Sequence, residues 1–176
     1  MPLVNSLLNL INSSRLRSID YFRRHPQEVQ EKTLFQLLSK AEATEYDLQY
    51  CFSRFKSIAD FQQGLPVMEY EDFKPYIDRI RTGEKSLLWP GKIGWFAKSS
   101  GTTQNKSKFI PVSPEELNGY HFKGSRDVIA IYFDLYPKNG LFMGKGLTLG
   151  GSHQVDTLSD SSRYGDLSAI LLQNQP

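Results

Sequence analysis

The chain has 176 residues, enough for one domain with a real core and too few for two ordinary ones. With 39% hydrophobic residues, 11 Phe, 9 Tyr and 2 Trp, it has the composition of a folded chain and not of a disordered one. A net charge of +2 calls for no nucleic-acid or acidic-substrate partner.

Residues 3–11 are mostly apolar, but Asn5, Ser6 and Asn9 interrupt them and no positive residue precedes them. That makes a poor signal peptide and is too short for a membrane span. Val4, Leu7, Leu8 and Ile11 fall at i, i+3, i+4 and i+7, the pattern of a helix docking on a core. Arg15, Arg17, Arg23 and Arg24 against Asp20 leave a transit peptide or a membrane-surface helix as the competing reading, and docking is preferred. A second helix starts at Pro26 and carries Leu34, Leu37, Leu38 and Ala41 on one face.

Shorter helical pieces are predicted around 44–52 and 57–63, the latter ending at Gly64. Cys51, the single cysteine, excludes an internal disulfide framework and points to a reducing, cytosolic setting. Between Tyr50 and Phe52 it reads as a buried structural thiol. A helix from about Asp72 places Phe73, Tyr76, Ile77 and Ile80 on a stripe, with Pro75 in its first turn and Gly83 as its stop.

After Gly83 short apolar runs alternate with Gly and Pro, as strands do: Leu87-Leu88-Trp89, Ile93 to Ala97, and Phe109 to Val112. Ser113-Pro114-Glu115-Glu116 is a capping box that opens the longest helix. Its stripe is Leu117, Tyr120, His121, Val128, Ile131, Tyr132 and Leu135, ended by Pro137. His121 on that stripe reads as a hydrogen-bonded core histidine, and His25, His121 and His153 lack zinc-ligand spacing. Residues 141–149 suggest a strand, 152–165 a polar loop, and Asp166 to Leu172 the start of a helix. The order, helices first and then αβ, predicts a mixed α/β fold with N-terminal helices packed on a mixed sheet.

The chemistry concentrates in Ser99-Ser100-Gly101-Thr102-Thr103, followed by Lys106 and Lys108. Backbone N–H groups around a glycine, short hydroxyl donors and mobile positive charge are what a polyphosphate needs. A Walker A loop fails on spacing: four residues separate Gly101 from Lys106 where five are needed, and Asn105 replaces the second glycine. A helix should also follow the lysine, whereas Ser107 to Val112 is strand-like. The arrangement is strand, Ser/Thr/Gly loop, strand, a β-hairpin with a phosphate-grasping tip.

This loop resembles that of the adenylate-forming superfamily, and within it the acyl-acid amido synthetases, the plant hormone-conjugating enzymes and their bacterial relatives. Ser99-Ser100-Gly101-Thr102-Thr103 and Lys108-Phe109-Ile110-Pro111 match that family's pattern in register, and the lead-in of about 85 residues matches its helical layout. Asn105 stands where the family usually has glycine, and Lys106 adds a second positive charge.

The resemblance implies ATP-dependent adenylation of a carboxylic acid, then amide formation with an amino acid or other amine, with ATP and Mg²⁺ as cofactors. It implies Lys108 as the catalytic cation, and Ser99, Ser100, Gly101, Thr102, Thr103 and Lys106 as nucleotide-phosphate ligands. No metal ligand is assigned, no nucleic-acid or membrane partner is expected, and the expected setting is cytoplasmic. Residues 1–176 are then the N-terminal portion of a large adenylation domain, with 1–85 mainly helical and 86–176 an αβ part bearing the hairpin. The nucleotide-base and magnesium motifs are expected downstream, and the segment alone is not expected to turn over. Gly150, Gly151, Ser152 and His153 line a pocket or form a simple turn. Two alternatives remain: a non-catalytic phosphate-binding module, and a helical interaction or membrane-surface protein in which the loop is incidental.

Overall fold

A computed structural model describes residues 2–99, 107–147, 154–159 and 162–175, without the side chains of 2–11, 158 and 159. Helices come first: α1 (Pro2–Arg24), α2 (Pro26–Lys40), α3 (Glu45–Tyr50), α4 (Ile58–Gly64) and α5 (Tyr70–Arg81). Strands β1 (Trp95–Lys98) and β2 (Phe109–Val112) follow, then a π-helical turn, Glu116–His121, that runs into α6 (Phe122–Leu135). Strands β3 (Val155–Ser159) and β4 (Ser162–Gly165) and helix α7 (Leu167–Gln173) complete the order. Contacts divide the chain into two units, Met1–Gln30 with Glu115–Leu149, and Glu31–Pro114 with Gly150–Pro176.

In the first unit α1 lies along α6. The Arg15 guanidinium grips both oxygens of Asp127, Nη2 to Oδ2 at 2.7 Å, and that hydrogen bond raises the Arg15 pKa. A bidentate pair fixes orientation as well as distance. One of the arginines that suggested a membrane-surface helix is thus engaged inside the fold. No helix among the described residues is long and apolar enough to cross a membrane.

The long helix opens at Pro114 as predicted, but of its predicted stripe only Leu117 is buried. Leu117, Ala130 and Phe133 are buried, while Tyr120, Val128, Ile131, Tyr132 and Leu135 are exposed within the structure. A π turn takes more residues per turn than an α turn, so a strict 3.6 period drawn from Leu117 loses phase after His121. His121 is not in a core: its side chain is 32% exposed and sits 3.6 Å from the Glu116 carboxylate. Of the strand predicted over 141–149, residues 141–144 form a turn and bend and 145–147 are in no strand, with Leu141, Phe142, Met143 and Leu147 exposed, while 148 and 149 lie outside the described residues.

The second unit holds the sheet, in the order β2-β1-β4-β3. It is mixed: β1 pairs antiparallel with β2 and parallel with β4, and β3 pairs antiparallel with β4. Phe96 in the central β1 is completely buried and packs with Ile77 and Ile80 of α5 and with Leu87 and Ile93. A second cluster gathers Leu38, Ala41, Phe52 and Phe55, and Trp89 packs against both. Each fully buried side chain of this size contributes roughly 1.5–3 kcal/mol relative to an exposed one, so these two clusters dominate the stability of the unit. Leu37, assigned to the α2 core face, is exposed instead; Leu38 and Ala41 carry the contact.

Local chemistry explains the ends. The buried Thr44 caps α3 by accepting from the Asp47 amide at 3.2 Å while donating to the Ala41 carbonyl at 2.7 Å. Ser57 caps α4 by accepting from the Asp60 amide at 3.1 Å. Gly83, at φ +100°, stops α5 in a conformation that side chains resist.

Five further expectations change. Helix α5 starts at Tyr70, not Asp72, because the Asp72 carboxylate accepts the Glu69 amide at 2.7 Å and so fixes the earlier start. Pro75 therefore lies inside the helix, beyond its first turn. Leu87-Leu88-Trp89 is a bent segment, not a strand: the Ser86 and Leu87 carbonyls accept the Glu45 and Tyr46 amides at the start of α3, and Leu87 is buried between. Cys51 is exposed, because it sits in the left-handed conformation at the end of α3 (φ 52°) and turns the buried Phe52 inward in its place. The polar segment 152–165 contains β3 and β4.

Candidate functional site

The hairpin predicted around the Ser/Thr/Gly segment is present. Lys98 pairs with Phe109, Ala97 with Ile110, Phe96 with Pro111 and Trp95 with Val112. The chain after Lys106 enters β2 and not a helix, which agrees with the rejection of Walker A.

Of the predicted site residues, Ser99 and Lys108 are described, and they face each other at the neck of the hairpin. The Ser99 amide donates to the Lys108 carbonyl at 2.9 Å, and the Lys108 amide donates to Ser99 Oγ at 2.9 Å. Ser99 thus closes the neck with its side chain, a role the sequence reading did not foresee. Its hydroxyl still has its own proton to donate to a ligand. Ser100, Gly101, Thr102, Thr103 and Lys106 lie outside the described residues, as do Gly150, Gly151, Ser152 and His153.

Beside the neck, between β2 and one face of α5 from its first turn to its last, is a cavity of about 780 Å³. Its wall carries the cations Lys74, Arg81, Lys98 and Lys108 and the anions Glu69, Glu71 and Asp78. Asp78 is committed: it pairs with Lys74 and accepts from Arg81 at 3.0 Å. The Lys74 hydrogen bond, followed by Arg81, holds its carboxyl below the ordinary range and correspondingly raises Lys74. Lys98 and Lys108 have no carboxylate within ion-pair distance among the described residues. They lie against aromatic faces instead, Lys108 Nζ 5.1 Å from the Tyr70 ring centroid and Lys98 Nζ 5.9 Å from that of Tyr164.

The walls are held by packed aromatic rings. Phe109 meets Tyr164 edge-on at 5.3 Å, and the Arg81 guanidinium lies over Phe109 at 4.1 Å. The Ser162 hydroxyl ties β4 to the last turn of α5 by donating to the Arg81 carbonyl at 2.8 Å. Two ammonium groups that meet no carboxylate among the described residues, at the mouth of a hairpin, suit a dianionic or polyanionic ligand. Sequence reasoning missed Lys98, Arg81 and Tyr70; the Glu69-x-x-Asp72 spacing was the one signal that places Tyr70 at a helix start.

Comparison with known proteins places the fold. Residues 15–176 match the family model described as the GH3 family N-terminal domain. The chain belongs to the GH3 family. It is 35% identical over 155 residues to indole-3-acetic acid-amido synthetase GH3.4 of Arabidopsis thaliana, covering 88% of this chain and 25% of that protein. It is 37% identical over 89 residues to jasmonoyl–L-amino acid synthetase JAR4 of Nicotiana attenuata, covering 50% of this chain and 15% of that one. Among solved structures, GH3.15 acyl acid amido synthetase superposes with a TM-score of 0.78 at 24% identity, covering 91% of this chain and 28% of that chain. The chain therefore spans about a quarter of the length of these relatives.

Proposed function

We propose that this chain forms the N-terminal portion, residues 1–176, of the large adenylating domain of an acyl-acid amido synthetase. The observation that carries the reading is the β1–β2 hairpin, which brings Ser99 and Lys108 together beside Lys98, the two lysines having no carboxylate within ion-pair distance among the described residues. Family membership and the names of the relatives support it.

The reaction joins a carboxylate oxygen to the α-phosphorus of ATP and breaks the bond to the bridging oxygen, so that pyrophosphate leaves. An amine nitrogen then attacks the acyl carbon, loses its proton, and AMP departs. Two anions must meet and a polyanion must leave, so the protein's task is positioning and charge neutralisation. In this chain the backbone N–H groups near Gly101 and the hydroxyls of Ser99, Ser100, Thr102 and Thr103 would hold the outer phosphates. Lys108 supplies the point charge for the departing pyrophosphate, with Lys106 second. No residue is assigned as a ligand to Mg²⁺, since no group of three His, Cys, Asp or Glu side chains suited to a metal occurs among the described residues; the metal would add positive charge for the leaving pyrophosphate.

The substrates we propose are a small carboxylic acid and an amino acid, the class that the names of the relatives give for those proteins. Acid-dependent ATP–pyrophosphate exchange in the full-length protein tests the reading. Thr102→Ala and Lys108→Ala should each lose most of the exchange; wild-type exchange in both would refute the assigned roles and favour a phosphate-binding module without catalysis.

A further inference from the structure

We propose that Tyr70, the first residue of α5, is a positioning residue that sets the hairpin lysine Lys108 in place before ligand binds. The inference rests on the phosphate-binding reading of Lys108.

β2 is an edge strand. At the neck, the backbone groups of Lys108 point toward Ser99 and are satisfied there. In an antiparallel ladder the neighbouring residue points the other way, so the polar groups of Phe109 face the open edge. Tyr70 takes both of them: its hydroxyl accepts the Phe109 amide at 2.9 Å and donates to the Phe109 carbonyl at 3.3 Å. A helix side chain thus does at this edge what a neighbouring strand would do.

The ring of the same residue faces the lysine, with Lys108 Nζ 5.1 Å from its centroid. Tyr70 therefore fixes the main chain one residue from Lys108 and offers a face to the ammonium at the end of the side chain. Ser99 holds the backbone from the other side. A lysine stem has four rotatable carbons and loses that freedom on binding an anion. Holding it beforehand lowers the cost of ordering in the transition state, when charge builds on the leaving pyrophosphate. A tyrosine has only two side-chain torsions, and α5 anchors this one through Ile77 and Ile80 in the core.

The test is a double-mutant cycle on kcat for acid-dependent ATP–pyrophosphate exchange in the full-length protein. Tyr70→Leu removes hydroxyl and ring; Tyr70→Phe removes only the hydroxyl and serves if the leucine variant does not fold. In the wild-type background Tyr70→Leu should lower kcat roughly ten-fold or more with little change in KM for ATP, and Tyr70→Phe by a smaller factor. In the Lys108→Ala background neither substitution should lower kcat further. A loss of the same factor with and without Lys108 would overturn the positioning role, as would wild-type kcat in both Tyr70 variants. Wild-type exchange in Lys108→Ala alone would instead refute the phosphate reading itself, and Tyr70's role with it.

Discussion

Ser99→Ala removes one oxygen and, with it, the acceptor for the Lys108 amide, while the bond from the Ser99 amide to the Lys108 carbonyl remains. One of the two hydrogen bonds that close the hairpin neck is lost. Both residues are half-buried, so water replaces the lost acceptor only in part. A net loss of about 1 kcal/mol follows for one neutral hydrogen bond, within a range of roughly 0.5–1.5. Because the bond is local, the effect belongs to opening of the neck and not to global unfolding. A loss of about 1 kcal/mol corresponds to about five-fold faster amide hydrogen exchange at Lys108. The assay is hydrogen exchange of the peptide spanning β2, compared with peptides from α2 and α3 as internal references. Ser99→Thr keeps the hydroxyl and should restore protection. Unchanged protection in Ser99→Ala, or equal loosening in Ser99→Thr, would refute the latch.

Two further outcomes concern the scaffold. Arg79 bridges Glu45, at 2.7 Å through both oxygens, and Glu84, and these hydrogen bonds hold both carboxyls below their ordinary value of 4.5. A depressed folded pKa adds stability that is complete above the unfolded value and is lost as pH falls through the folded one. Denaturation midpoints should therefore drop below about pH 4.5, less steeply in Arg79→Gln and less steeply in high salt because the groups are exposed. Equal pH profiles for the two proteins would contradict this. Gly64→Ala would set a methyl group 2.2 Å from Cε1 of the buried Phe55. Overpacking should cost about 1–3 kcal/mol despite a small gain in helix propensity, read as a lower Tm, and an unchanged Tm would show that Phe55 yields.

The helical half of the fold was legible because its signals are local. Proline at the first position of α2, Ser57 before α4 and Gly83 after α5 each act within one turn, and the apolar spacing of Ile77 and Ile80 names the buried face. The hairpin was legible for the same reason, since two short apolar runs flank a polar segment. What failed depends on partners distant in sequence. β3 and β4 read as polar loop because Ser162 and Gly165 are buried by a neighbouring strand and by the Arg81 carbonyl, which no local pattern announces. Leu87 to Trp89 has strand composition, but the Ser86 and Leu87 carbonyls accept the first amides of α3 instead of pairing with a strand. The π turn at Glu116–His121 shifts a stripe that a uniform period cannot follow. At the candidate site, Ser99 and Lys108 come from the motif, and the fold brings them together at the hairpin neck. Tyr70 does not come from it, because it lies 38 residues upstream of Lys108 and meets the hairpin only through the packing of α5 on β2.

The central claim is that the hairpin serves adenylate formation, and the nucleotide product tests it most directly. The full-length protein, given ATP, Mg²⁺, a small carboxylic acid and an amino acid, should form amide with AMP and pyrophosphate in equal amounts. Lys108→Ala should suppress all three products together. Release of ADP and inorganic phosphate, or amide formation undiminished by Lys108→Ala, would contradict the account.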